Sequence, residues 1–300
     1  MINFTLTDLK YLIALADEQH FAKAAQKCFV SQPTLSIAIK KLEDNLGITI
    51  FERENHRVLI TPSGEEIVNQ ARKIILEAHN LLDIVETNQN PYKQPLKIGA
   101  IFTIGPYIFP ELIQEIISKE SKLQLIVEEG YTDGLTSKLL KGELDAIILA
   151  TETNHPELAQ IELYNDKLAV ICAKEHKLAK ASKINATELE QETFLLLGLG
   201  NCFRDQVLKI CPECNTNVSN GLGLITASSL ETIKFMVAMN IGISILPELA
   251  LKNLPNEVKI KPLPKPVPSR KLNLVYRKNF ARFSILQKIQ KLLQNQLSTN

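Results

Sequence analysis

The sequence predicts an α/β protein with an N-terminal winged helix-turn-helix, a long linker helix and two α/β lobes. Three observations predict it. Residues 1–60 hold three short helical patterns and a charged hairpin. Residues 61–90 carry a heptad seam. From Leu96 onward, strand-like runs alternate with helical ones.

Leu9, Leu12, Ile13, Leu15 and Ala16 recur at helical spacing behind Thr7 and Asp8, which suit a helix start. Residues 21–27, with Ala22, Ala24 and Ala25, form a second short helix. Val30-Ser31-Gln32-Pro33-Thr34 turns into a third. Ser31 suits its N-cap, and Pro33 its first turn, where a missing N–H costs nothing. Leu35, Ile39, Leu42 and Leu46 give this helix one apolar face, ended at Gly47. Residues 48–51 and 58–60 are strand-like, with charged residues 52–57 as the tip between them.

Thr61-Pro62-Ser63-Gly64-Glu65-Glu66 is a strong helix start: a cap, an early proline and two carboxylates near the positive end of the dipole. Ile67, Ala71, Ile74, Ala78, Leu81 and Val85 follow at gaps of four and three. That seam fits a dimerising coiled coil, or an amphipathic helix packed on its own domain. Residues 88–95, with Pro91 and Pro95, read as a linker.

Beyond it, residues 96–101, 123–127 and 144–150 read as strands, with helices at 110–118 and 135–141 between them. A second set has strands at 168–173, 194–197, 224–227 and 243–246, and a helix at 229–239. A strand at 272–276 and a helix at 285–293 close the chain. Pro/Lys-rich residues 261–268 read as an extended crossing segment. The expected domains are therefore 1–60, 61–90 and 91–300. Lobe I is expected at about 96–162 and 269–300, and lobe II at about 163–268.

The charge total is 34 basic against 33 acidic residues. This excludes an acidic disordered chain, and by itself argues against a general polyanion binder. The total hides a separation: residues 258–300 hold ten Lys/Arg and no acid. That tail reads as a solvated face, with pairing to another subunit as the alternative. No apolar stretch approaches the ~18 residues needed to span a bilayer. No signal peptide is read at the N-terminus, so a cytoplasmic protein with reduced thiols is expected.

Helix, turn, helix and charged hairpin is the layout that places a recognition helix in the major groove. Residues 1–90 hold nine basic and twelve acidic side chains, so any phosphate-binding surface must be a focused patch. Residues 21–41 supply Lys23, Lys27, Lys40 and Lys41 and no acid. Ser31, Gln32, Pro33, Thr34 and Ser36 open the third helix, where N–H groups and hydroxyls suit phosphate and Gln32 suits a base edge. Arg53 and Arg57 on the hairpin suit the backbone or minor groove.

These residues resemble LysR-type transcriptional regulators. The likeness runs through Phe21-Ala22-Lys23-Ala24-Ala25, Val30-Ser31-Gln32-Pro33-Thr34-Leu35-Ser36, Ile39-Lys40-Lys41-Leu42-Glu43, Phe51-Glu52-Arg53 and Thr61-Pro62-Ser63-Gly64. The resemblance implies a periplasmic-binding-protein type of two-lobed effector domain. It also implies a homo-oligomer, commonly a tetramer, that binds partly palindromic promoter DNA and works with RNA polymerase.

Five cysteines, an odd number, do not make a disulfide framework, but Cys202, Cys211 and Cys214 fall within 13 residues. Cys202-Phe203-Arg204-Asp205-Gln206, with Cys211 nine residues after Cys202, resembles the OxyR branch of that family. So do Thr103-Ile104-Gly105-Pro106-Tyr107, Gly142-Glu143-Leu144-Asp145, Ala227-Ser228-Ser229-Leu230-Glu231-Thr232 and Leu274-Val275-Tyr276-Arg277. The resemblance implies sensing of hydrogen peroxide: Cys202 becomes a sulfenic acid and then a disulfide with Cys211. Glutaredoxin or thioredoxin would be the reductant. Thr103, Thr132, Asn201, Arg204, Asp205 and Arg270 would form the peroxide pocket.

Chemistry supports this reading independently. A peroxidatic cysteine must react as a thiolate, and Arg204 and a helix N-terminus would favour that form. If residues 202–211 are helical, the two cysteines stand roughly 13–14 Å apart, beyond the ~7 Å Cα limit of a disulfide. Oxidation must then remodel the segment. One departure is Asn201, where the branch has histidine. Another is Cys214, which makes Cys211-Pro212-Glu213-Cys214 a CxxC and is an alternative resolving thiol. CxxC can also be half a zinc site or a thioredoxin motif, but no fourth ligand is in view, so neither metal nor cofactor is expected. Cys28 and Cys172 read as small buried hydrophobes. A LysR-type regulator of a small metabolite held between the lobes is the competing reading. A thiol oxidoreductase is a third, and the DNA-binding signature speaks against an enzyme.

Overall fold

The computed structural model describes residues 3–54, 57–90, 92–119, 122–181, 184, 186–212 and 225–298. The chain divides into two compact units, Met1–Gln89 and Asn90–Asn300.

The first unit starts with α1 (Leu6–Glu18), capped by Thr5 and not at Thr7. Thr5 and Asp8 exchange side-chain-to-backbone bonds, so the helix begins one residue before Thr7. The next helix, α2 (Phe21–Lys27), leads through a turn to α3 (Gln32–Leu46). Ser31 Oγ accepts from Thr34 N, and Gly47 ends α3 in the left-handed conformation. Leu35, Ile39 and Leu42 bury against Leu12, Leu15 and Ala24.

The wing is β1 (Phe51–Glu54) paired with β2 (Arg57–Ile60). Its strands run further into the charged stretch than the sequence indicates. Glu43 on α3 accepts from Ile50 N at 2.7 Å and Phe51 N at 3.0 Å, which ties the wing to α3. Thr61 then caps α4 (Pro62–Gln89) by accepting from Gly64 N. A Cβ on Gly64 would meet Ile50 O at 2.4 Å, so only glycine fits this crossing. Val68 and Ala71 join the core of the unit, whereas Leu81, Leu82, Ile84 and Val85 are exposed. The seam is thus divided: its start packs in the core of the first unit and its later residues are not part of that core.

The second unit has two cores joined by long strands. Its elements begin with β3 (Leu96–Ile101), α5 (Gly105–Lys119), β4 (Leu125–Gly130), α6 (Thr132–Leu140) and β5 (Ala146–Leu149). The helix α5 opens five residues before Pro110, which its first turns tolerate without breaking the helix. Then β6 (Leu158–Ala173) runs for 16 residues, with Leu158 and Leu163 in one core and Leu168, Val170 and Ile171 in the other. The rest comprises α7 (Ala186–Glu190), β7 (Leu195–Leu197), α8 (Cys202–Ile210), β8 (Ile225–Ala227), α9 (Leu230–Ala238), β9 (Ser244–Pro247), β10 (Val258–Pro262), β11 (Ser269–Arg277) and α10 (Phe283–Ser298).

In the main sheet the order is β10-β6-β11-β5-β3-β4, with β9 also on β6. Strands β3, β4 and β5 run parallel, and β6 and β11 cross antiparallel between the cores. Residues 261–268 lie at the return crossing: Val258–Pro262 is a strand beside the second half of β6, Leu263 packs in that core, and β11 runs on beside the first half of β6 into the other core.

The basic tail is not a uniformly solvated face. Its three arginines, Arg270, Arg277 and Arg282, are buried. Arg277 donates to the carbonyls of Leu139 and Leu144, and Arg282 pairs with Asp145 at 3.0 Å. Lysines 259, 265, 271, 278, 288 and 291 remain exposed. Arginine suits the buried places because one planar fork satisfies several acceptors at once.

Candidate redox and nucleic-acid sites

Cys202 is the first residue of α8, behind Gly198-Leu199-Gly200-Asn201. Gly200 takes a φ of +83°, which lets the chain reverse from β7 into the helix. Asn201 Oδ1 accepts from Phe203 N at 3.1 Å, so the departure from histidine serves here as an N-cap. Cys202 is free and half-buried, and it packs against the core of lobe I. Phe203, its neighbour, is buried in the core of lobe II. The thiol therefore sits where the two lobes meet, at the positive end of a helix.

Arg270, from the crossing strand β11, organises the floor of this junction. Its Nε donates to Asp166 Oδ2 at 2.9 Å. Its two terminal nitrogens donate to Thr103 Oγ1 at 2.8 Å and Thr103 O at 2.9 Å. The guanidinium lies 5.0 Å from the centre of the Phe203 ring. Asp166 also accepts from Leu249 N at 3.1 Å. Burial pushes the Asp166 carboxyl up, and the charge of Arg270 opposes that shift. One cation thus links lobe I, both crossing strands and the start of α8.

The remaining pocket residues divide. Arg204 is buried and donates to Leu197 O at 2.7 Å, locking α8 onto β7. Asp205 is exposed. Thr132 opens α6, half-buried, and takes no part in the Arg270 group. Gln206 donates to Ala150 O at 2.8 Å, a direct tie from α8 to lobe I. Sequence reasoning missed Asp166, which is a lone carboxylate in a strand, with no motif around it. It also missed the second tie between the lobes: Tyr107 on α5 donates to Glu231 on α9 at 2.7 Å, and Lys234 lies 4.9 Å over the Tyr107 ring. Burial, the bond to Glu231 and its charge push the Tyr107 phenol far up.

The expected Cys202–Cys211 bond is not formed in this structure. Cys202 is free, Cys211 is disulfide-bonded, and α8 runs unbroken between them. At about 1.5 Å per residue the helix holds the two roughly 13–14 Å apart. Cys214 lies outside the described residues. Cys172 is buried and free, and burial pushes its thiol up despite Lys261 and Lys259. Cys28 is only half-buried, at the C-cap of α2. Among the described residues, no three His, Cys, Asp or Glu side chains are grouped as metal ligands, and no helix is long and apolar enough to cross a membrane.

On α3, Gln32, Pro33, Thr34 and Lys40 are exposed, and Ser36 is half-exposed. Ser31 is exposed, with its Oγ bonded to Thr34. Lys27 is paired with Glu18 at 3.0 Å, so the lysine cluster is partly neutralised. Arg53 and Arg57 lie on β1 and β2, and their side chains are outside the described part.

Comparisons agree with this architecture. Residues 6–65 match the bacterial regulatory helix-turn-helix protein model of the lysR family, and residues 89–298 match the LysR substrate binding domain. A hydrogen peroxide-inducible genes activator of Haemophilus influenzae is 37% identical over 91% of this chain and 90% of its own. The DNA-binding transcriptional dual regulator OxyR of Escherichia coli is 36% identical over 91% of this chain and 89% of its own. A full-length OxyR structure from Pseudomonas aeruginosa superposes with a TM-score of 0.79 at 38% identity, covering 98% of this chain and 96% of that one. A hydrogen-peroxide-bound OxyR mutant of Corynebacterium glutamicum gives 0.62 at 27% identity, covering 98% and 92%. A helix-turn-helix head joined to a two-lobed regulatory unit is what these matches share with it: the chain belongs to the LysR family of transcription regulators, in its OxyR branch.

Proposed function

We propose that the protein is a cytoplasmic, DNA-binding regulator of the oxidative-stress response that senses hydrogen peroxide through Cys202. The observation that carries this is a free thiol at the N-terminus of α8, packed on the core of lobe I, while its neighbour Phe203 packs in lobe II against the Arg270 guanidinium. The Cys202 thiolate attacks one peroxide oxygen, the O–O bond breaks, and Cys202 sulfenic acid and water form after proton uptake. Thr103, Thr132, Asn201, Arg204, Asp205 and Arg270 are the residues assigned to the peroxide pocket. The thiol of Cys211 then attacks the sulfenic sulfur, forming the disulfide and releasing water. A disulfide-bonded Cys211 cannot do this. A dithiol reductant of the glutaredoxin or thioredoxin class must first supply two electrons to free it.

Closing the Cys202–Cys211 bond requires α8 to unwind, which breaks the Gln206–Ala150 tie and the Arg204–Leu197 lock. That is how oxidation reaches the lobe surface. On the DNA side, Ser31, Gln32, Pro33, Thr34, Ser36 and Lys40 on and before α3 meet the major groove, and Arg53 and Arg57 on the wing meet the backbone. The uncovered Leu81, Leu82, Ile84 and Val85 of α4 pair subunits, and dimers assemble into a tetramer that acts with RNA polymerase.

The test is thiol trapping with mass spectrometry after peroxide, on protein reduced beforehand, together with promoter-DNA binding. Cys202 oxidation at low peroxide and a blind Cys202→Ser variant are expected. If Cys202→Ser responds like the parent, peroxide sensing is wrong and a metabolite held between the lobes becomes the reading.

A further inference from the structure

Helix α3 carries an apolar side chain where the reading face should be polar. Ile37 is 69% exposed. It lies two residues from Leu35, and at about 100° per residue it points about 200° away from the buried Leu35–Ile39–Leu42 face. Ile37 therefore marks the pole of the outward side. Pro33 lies one turn before it, and Lys40 and Lys41 one turn after. Asp44, two turns on, is exposed on the same side and bars that end of the helix from close approach to phosphates. The part of α3 that can enter a groove is its N-terminal half, and Ile37 sits in the middle of that half.

A single exposed isoleucine on an ordinary surface needs no explanation. On a helix that fills a major groove, its chemistry limits what it can do. Isoleucine has no donor and no acceptor, so it cannot read the polar edge of guanine, adenine or cytosine. The only apolar feature a base pair presents in the major groove is the C5-methyl group of thymine. We propose that Ile37 is a specificity-determining residue that selects thymine by packing on its C5-methyl group. The flanking lysines anchor the helix on phosphates, and Gln32 and Thr34 supply polar readout beside it. The inference rests on α3 being the helix that reads DNA. Ile37 is outside the hydrophobic core, so Ile37→Ala leaves the fold intact.

The experiment is selection of binding sites by the full-length protein from random duplexes. One library is amplified with thymidine and the other with deoxyuridine, which lacks only the methyl group. Parent, Ile37→Ala and Gln32→Ala are run in parallel. The expected result is one thymine position per half-site that the parent enriches from the thymidine library and not from the deoxyuridine library. Ile37→Ala no longer enriches it from either. Loss of one methyl contact corresponds to roughly fourfold weaker binding per half-site. If no thymine position depends on both the methyl group and Ile37 while Gln32→Ala still alters the selected site, the Ile37 proposal is overturned. If neither variant alters the selected site, α3 is not the reading helix and the underlying assignment fails as well.

Discussion

Arg270 and Asp166 form a buried ion pair, Nε to Oδ2 at 2.9 Å, on adjacent crossing strands. Both side chains are almost wholly withdrawn from water. Such a pair is weak evidence of stability as a unit, but breaking it is costly because one charge stays behind. Asp166→Asn should therefore lower unfolding free energy by about 3–5 kcal/mol. Urea denaturation measures this. A change below about 1 kcal/mol would mean the guanidinium is satisfied by Thr103 alone.

Tyr107 gives a pH-dependent term. Its phenol is held well above the ordinary value of about 10 by burial, by its bond to Glu231 and by that carboxylate's charge. The unfolded chain therefore releases this proton first. The contribution is complete below about pH 10 and is lost as the pH rises beyond it. Tyr107→Phe should lose part of that alkaline decline in stability. Urea midpoints of parent and variant between about pH 8 and about 11 should converge as the pH rises; parallel curves would refute the assignment.

Asn201 is a cap, so Asn201→Ala should cost about 1 kcal/mol and raise amide exchange in α8. Asn201→His should keep the cap, since His20 and His176 accept helical N–H groups through Nδ1 in this protein. It also adds a group that titrates near pH ~6.5. Faster, newly pH-dependent oxidation of Cys202 is expected, read by stopped-flow peroxide consumption. An unchanged rate would show that position 201 acts only as a cap.

The distal half of α4 should respond to charge. Leu81→Glu with Val85→Glu places two carboxylates on an exposed apolar surface without touching the core of the first unit. Sedimentation velocity should show smaller assemblies with unchanged helix content by circular dichroism. Assemblies of unchanged size would place the subunit contact elsewhere.

Much of the molecule was legible in the order of its residues, because the relevant forces are local. Ser31 and Gly47 bound α3 through backbone groups one turn away. Apolar spacing of three and four marked the buried face of α3 and the seam of α4, and runs such as Ala146–Leu149 marked buried strands. The cluster of Cys202, Cys211 and Cys214 located the redox question. What the sequence could not decide is who meets whom. The polar first half of β6 became a crossing strand only because β11 lies beside it. Arg270 meets Thr103 from 167 residues away, and Asp166 from 104. Three arginines in a tail that reads as solvated are buried because carboxylates and carbonyls from distant segments converge on them. Capping and periodicity are set by neighbours along the chain. Burial of charge is set by partners that only the folded topology brings within reach.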